Sequence, residues 1–204
     1  MTQHLLIIGA ASIDTKGRAD QEIQAGTSTP GSIRVSVGGV GRNIAENLAR
    51  LGEPVVLLSA VGSDGSGRRI LQQADECGID ISHMLVNGEH HTAAYLAVLD
   101  STGNAVMSID DMAISRALIT PQHVYRRRAL FRDACMVALD ANLSTATLNT
   151  IFRLASRYSL PVCADPTTAS LAPRLRPHLR DLTLVTPNAA EAEALCGVRV
   201  TDRE

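Results

Sequence analysis

Residues 37–67, VGGVGRNIAENLARLGEPVVLLSAVGSDGSG, decide how the rest of the chain is read. The stretch opens on Gly38 and Gly39 and closes on Gly62, Asp64 and Gly67. Between the glycine clusters Ile44, Leu48 and Leu51 recur at helical spacing, and Gly52 stands where a helix should stop. Residues 55–60 then read as a buried strand. A glycine loop feeding a helix leaves backbone N–H groups open at the positive end of the helix dipole, so the corner suits polar or anionic ligand groups. Two phosphate motifs fail here. The run from Gly39 to Ile44 breaks the G-x-G-x-x-G fingerprint at its last position, and GSDGSGRR at 62–69 places Arg68 and Arg69 where a P-loop needs Lys and Ser or Thr.

Upstream, residues 5–8 form an apolar run that reads as a first buried strand, and residues 9–14 as its loop. Asp14 then lies beyond the carboxyl end of a strand, where open α/β sheets bind ligands. Residues 32–37, 92–99 and 105–109 alternate polar and apolar, with a turn over 100–104, and suggest hairpin strands of a small separate sheet. Downstream, residues 65–77 read as a helix closed by Gly78. Strands at 136–139, 162–164 and 182–185 then alternate with helices at 145–158 and 188–196. That rhythm implies an α/β fold with a parallel sheet covered on both faces.

The three later strands end in Asp140-Ala141-Asn142, Asp165-Pro166-Thr167 and Thr186-Pro187-Asn188. Each could be a helix cap, but three at one sheet edge also suggest a site. Asn188 and Glu191 are three residues apart, so on a helix they share a face and could both address one ion, while Glu193 would point to solvent.

Composition narrows the classes. The 204 residues are 45% hydrophobic, with a mean hydropathy near zero and no apolar run of membrane-spanning length. The short apolar run at the N-terminus lacks a basic flank, so it reads as a strand rather than a signal peptide, and a cytoplasmic location is expected. A net charge of −2 gives no field for nucleic acid, and Arg126 to Arg128 with Arg132 read as a solvated helix face. Cys77, Cys135, Cys163 and Cys196 are too dispersed for a zinc site and sit in or beside apolar segments like core residues. His90 and His91, as neighbours on a strand, would face opposite ways at the surface.

Gly38, Gly39, Gly41, Asn43, Ala45, Gly52 and Gly62 fall at the intervals of the first signature of the PfkB, or ribokinase-like, carbohydrate kinases. The chain resembles that family along nearly its whole length. TPGSI at 29–33, GGVGRNIAEN at 38–47, TAAYLAVL at 92–99, SIDDMAI at 108–114 and DANLS at 140–144 are most similar to the pseudouridine kinases, although Asp110 stands where Asn is more familiar. The resemblance implies a three-layer parallel-sheet domain of which residues 1–204 are the N-terminal portion, the C-terminal third being absent. Inserted lid strands at about 15–37 and 90–110 would cover the sugar, and in many members the lid forms a homodimer contact. The implied activity is ATP-dependent phosphorylation of the 5′-hydroxyl of pseudouridine. Another sugar or nucleoside kinase, or an inactive sugar-binding fragment, remains open.

By the same resemblance Asp14, Gly38, Gly39, Asn43, Thr92, Asp111 and Asp140 would bind substrate, and Asp165 and Asn188 the nucleotide. Glu191 would serve magnesium. The cofactors implied are ATP and Mg2+, with K+ as a further candidate monovalent cation. No Gly-Ala-Gly-Asp run, the family's anion hole and catalytic Asp, occurs in these residues, so the catalytic Asp is expected beyond Glu204.

Overall fold

The computed structural model describes residues 3–199. In chain order, β1 (His4–Ile8), β2 (Ser12–Ala19) and β3 (Gly31–Gly38) precede α1 (Val40–Arg50) and β4 (Val55–Leu58). Next come β5 (Ala60–Gly62), α2 (Gly65–Glu76), β6 (Leu85–Asn87), β7 (Ala93–Leu99) and β8 (Ala105–Asp111). Short helices α3 (Ala113–Leu118), α4 (Pro121–Arg126) and α5 (Arg128–Asp133) lead to β9 (Ala134–Asp140), α6 (Thr145–Arg157) and β10 (Val162–Asp165). A 3-10 helix (Ala172–Asp181), β11 (Leu184–Val185) and α7 (Ala189–Cys196) complete the described part.

Five strands pair in the order β11-β10-β9-β1-β4, all parallel. The continuous apolar runs of β1 and β4 demand cover on both faces, and they receive it. On one face Ile7, Leu57 and Ala138 pack with Ala45, Ile44 and Leu48 of α1. On the other, Leu6, Ile8, Leu58 and Leu139 meet Leu148, Ile151 and Phe152 of α6 and Phe131 of α5. Each fully buried side chain of this size contributes roughly 1.5–3 kcal/mol. The result is the expected α/β, three-layer arrangement.

A second sheet, β3-β2-β7-β8, stands apart as the lid. Its register sets Ser36, Asp14, Tyr95 and Asp110 in one cross-strand row. The turn at 100–104 is fastened by Asp100 Oδ1, which accepts from Thr102 N (2.9 Å) and Asn104 N (2.9 Å). The face opposite Asp14 is apolar: Ile33, Val35, Leu96, Met107 and Ile109 are all exposed. Near the body, Ile13 and Val37 of that face are covered by Ile70 and Leu71 of α2.

Several expectations need correction. The lid begins earlier than residue 15, because β2 starts at Ser12, so Asp14 lies within a strand rather than a loop. The segment 55–60 is not one strand: it breaks at Ser59, after which β5 leaves the main sheet to pair with β6. Leu51 is no part of the apolar face of α1; it is the C-cap and 78% exposed. None of the four cysteines is fully buried, and Cys135 and Cys196 are exposed. His90 and His91 lie in a loop, where His90 Nδ1 is 3.0 Å from Asn87 Oδ1. The basic run is divided between α4 and α5, with Arg126, Arg128 and Arg132 exposed and Arg127 half-buried. Among the described residues no helix is long and apolar enough to cross a membrane.

Candidate active site

A cavity of about 380 Å³ opens where the lid overhangs the carboxyl ends of the parallel strands. Three of the expected residues meet there: Asp14 from β2, Gly39 before α1 and Asn43 in α1. Ser12 Oγ donates to Asp14 Oδ1 (3.0 Å) and fixes that carboxylate. Gly38 faces it so closely that a Cβ there would collide with the Asp14 carboxyl group, so Gly38 is a spacer rather than a lining residue. Gly39 has φ 92°, and its backbone approaches Ala10 and Ala11 too closely for any side chain. Arg42 is buried beside this corner, ion-paired with Glu46, and its Nη1 donates to Asn43 Oδ1 (2.9 Å). That bond turns the Asn43 amide so that its NH2 group is the half left for a ligand.

The lid's contribution differs from expectation. Ser108 and Asp110 line the cavity, whereas Asp111 points to the other face and Oδ1 accepts from Ala113 N (3.1 Å). Strand alternation is the signal that separates them, since 108, 110 and 112 share a face. Thr92 is likewise outside the cavity. It is buried against Asp64, with Oγ1 donating to Asp64 Oδ1 (2.6 Å) and accepting from Gly62 N (2.9 Å). Burial works against the Asp64 anion, but the Thr92 and Gly67 donors outweigh it and hold the pKa below the usual carboxylate value. Thr92 therefore braces the helix start at α2 to β7.

Asp140 also needs correction as a substrate ligand. It is fully buried, and Oδ2 accepts from Ala10 N (2.7 Å) and Gly41 N (2.9 Å), while Oδ1 accepts from Asn142 N (3.0 Å). Gly9 exists to admit this carboxylate, because a Cβ there would overlap it. Burial pushes the Asp140 carboxyl up from its ordinary pKa, and the backbone donors of Ala10, Asn142 and Gly41 oppose that rise. The residue that reaches the cavity from this loop is Asn142, and from the next loop Thr167. Both belong to the polar strand ends that suggest a site in the sequence, but neither is assigned a ligand role there. Thr167 carries φ 68°, a strained conformation for a β-branched residue.

On the other side of the same sheet edge, Asp165 Oδ1 accepts from Thr167 N (2.8 Å) and Oδ2 accepts from Thr186 Oγ1 (3.2 Å). Asp165 and Thr186 also border a cleft of about 220 Å³, lined by Ile44, Ala138, Cys163 and Leu184. Asn188 and Glu191 turn toward each other instead of toward an ion. Asn188 Oδ1 accepts from Glu191 N (2.9 Å), and the Glu191 oxygens accept from Asn188 N (3.0 Å) and Nδ2 (2.8 Å). This is a capping box at the start of α7, with Glu191 buried. Glu193 is half-buried and partnered, not free in solvent. Among the described residues no group of three or more His, Cys, Asp or Glu is placed to hold a metal ion.

The pfkB family carbohydrate kinase profile matches residues 2–204. A pseudouridine kinase from Escherichia coli is 37% identical over 98% of this chain, which spans 63% of that relative. A solved carbohydrate kinase from Agrobacterium tumefaciens superposes with a TM-score of 0.85 at 31% identity, covering 98% of this chain and 65% of its own. The ribokinase of Arabidopsis thaliana, solved with ribose and ATP, shares the fold at TM-score 0.79 and 19% identity, covering 98% of this chain and 65% of its own. The chain spans 63%, 54% and 51% of the length of three curated relatives it matches. A profile match over nearly all its residues makes this chain a member of the pfkB family of carbohydrate kinases.

Proposed function

We propose that the chain is the acceptor-binding portion of a kinase that transfers the γ-phosphoryl of ATP to the 5′-hydroxyl of pseudouridine. The observation that carries this reading is the meeting of the Asp14 carboxylate and the Asn43 amide at one cavity beneath the lid. An anionic acceptor beside an amide donor suits neighbouring hydroxyls of a furanose, and charge-assisted bonds are the stronger ones. Asp110 and Ser108 on the lid are then the groups nearest the base or the far side of the sugar. Asp110 in place of the more familiar Asn removes a donor, which favours a second reading, a different nucleoside as substrate. Calorimetry with pseudouridine, uridine, inosine and guanosine separates them: tight binding of pseudouridine alone supports the first reading, preference for another nucleoside supports the second, and silence with all four overturns both.

ATP supplies the phosphoryl group, as it does for relatives of this fold, and a cytoplasmic workplace follows from that donor. Asp165 and Thr186 at the strand ends are this chain's polar groups toward the nucleotide. Magnesium fits less well at Glu191, because the Asn188 and Glu191 side chains satisfy each other in the cap. What the residues here do is bind and orient the acceptor hydroxyl and exclude water beneath the lid, so that transfer becomes a positioned step. The apolar outer face of the lid supports a homodimer through that sheet.

A further inference from the structure

Outward from the cavity, the inner face of the lid changes the sign of its charge. Asp14 and Asp110 occupy the row nearest the cavity. In the next row Lys16 stands directly opposite Arg34, with Ala97 and Ser108 completing it, and one row further Arg18 faces Ser32. An open groove of about 710 Å³ runs over Lys16, Arg18 and Arg34, with Ser32 and Ser36 as its hydroxyl groups. Like charges directly opposite across an antiparallel pair destabilise a sheet. No ion pair relieves them, since the salt bridges among the described residues join Arg42 and Arg50 to Glu46 and Arg132 to Asp133. Arg18 is held in place by Nη2, which donates to Ser101 O (2.6 Å). Three cations, two serines and no carboxylate in one groove amount to a binding chemistry, and a purely solvated strand would gain from mixing the signs.

We propose that this groove is an anion subsite, taking the phosphate or carboxylate of a small ligand whose hydroxyl-bearing part sits in the cavity. Lys16 is two residues from Asp14 on the same face, about 7 Å along the strand, which matches the reach from a sugar hydroxyl to a substituent across the ring. The hydroxyl half of the statement rests on the acceptor-site reading above, and the anion half does not. The test is calorimetry on the wild-type chain and on Lys16→Ser/Arg34→Ser, using ribose, arabinose, their 1-phosphates, ribonate and inorganic phosphate. In the wild type the phosphorylated ligands should bind about tenfold more tightly than their neutral parents, an advantage that salt erodes and the double variant lacks. The neutral parents should bind both proteins alike. Without ligand the double variant should melt higher, because the cross-strand repulsion is gone, and inorganic phosphate should raise the melting temperature of the wild type alone. Ribonate binding with the same dependence extends the subsite to carboxylates, while its silence confines the subsite to phosphate. Equal affinity for neutral and phosphorylated ligands, or an advantage that survives the double substitution, overturns the proposal. Loss of all neutral binding with a phosphate effect that still needs Lys16 and Arg34 would overturn the acceptor reading and leave the anion subsite standing.

Discussion

Gly38, Gly39 and Asn43 serve the cavity by three separate physical routes, so their variants should fail differently. If the Asn43 NH2 group donates to a sugar hydroxyl, Asn43→Ala should weaken nucleoside binding by about 1–3 kcal/mol with the fold intact. An unchanged dissociation constant would remove Asn43 from the site. Gly38→Ala meets only the side-chain carboxyl group of Asp14 and no backbone, so affinity should drop while the melting temperature barely moves. Gly39→Ala instead meets backbone at Ala10 and Ala11 from a φ of 92°, and should cost stability, with the left-handed strain alone worth about 1–2 kcal/mol. Reversed outcomes for the two glycines in thermal unfolding would show that the roles are misassigned. Asp14, Gly39 and Asn43 were legible in the sequence because they fall at the positions where the family resemblance implies substrate contacts. Asp140 was not, because a carboxylate after a strand looks the same whether it binds ligand or backbone. What decides the matter is a pair of donors 130 and 99 residues away.

The elements show the same division. Runs buried on both faces announce themselves, so β1, β4 and β9 were readable, whereas β2 was hidden. Its inner face is Asp14, Lys16 and Arg18, and its outer face includes Gly17, so no apolar alternation marks it as a strand. The Asn-x-x-Glu spacing at α7 was visible but ambiguous, and the structure makes it a cap. Asn188→Ala should therefore lower stability by about 0.5–2 kcal/mol, measured by urea unfolding, and no loss would mean that the cap is idle. At the opposite end of the sheet, His123 in α4 has its pKa depressed to about 4 by burial and by the neighbouring Arg127, Arg126 and His83. Among the described residues its Nε2 has no partner, and neither has His4 Nε2 in β1, where burial also lowers the pKa despite Asp133 and Asp80 nearby. Both imidazoles take up protons more readily in the unfolded chain. Stability should be fully present above pH 6.5 and decline as the pH falls toward 4. His123→Gln should flatten that decline, and an unchanged pH profile in the variant would exclude His123 as its source.

At the scale of the molecule, two apolar surfaces stand open. The outer lid face, with Ile33, Leu96, Met107 and Ile109, should join two copies, so Ile33→Lys/Ile109→Lys should turn a sedimenting dimer into a monomer. A wild-type monomer at tens of micromolar would end that reading. The other surface lies along β11, where Leu184 is exposed beside the apolar cleft over Cys163 and Ala138, and it should make the 204 residues prone to aggregate. Those residues alone should also fail to phosphorylate pseudouridine. The cavity holds and orients an acceptor, but its two carboxylates lie on the lid side, Asp140 is enclosed by backbone donors, and no Gly-Ala-Gly-Asp run supplies an anion hole. Missing transition-state donors cost roughly 2.7–4 kcal/mol each, and a missing general base a further factor of about 100 to 10,000. Purified protein assayed with ATP, magnesium and pseudouridine, beside a version extended to the full length of its relatives, should bind the nucleoside and yield no product above background. Robust turnover by the 204-residue form would mean that the base lies within it. Asp165, which is half-buried at the sheet edge and bonded only to Thr167 N and Thr186 Oγ1 among the described residues, would then be the first carboxylate to replace with Asn.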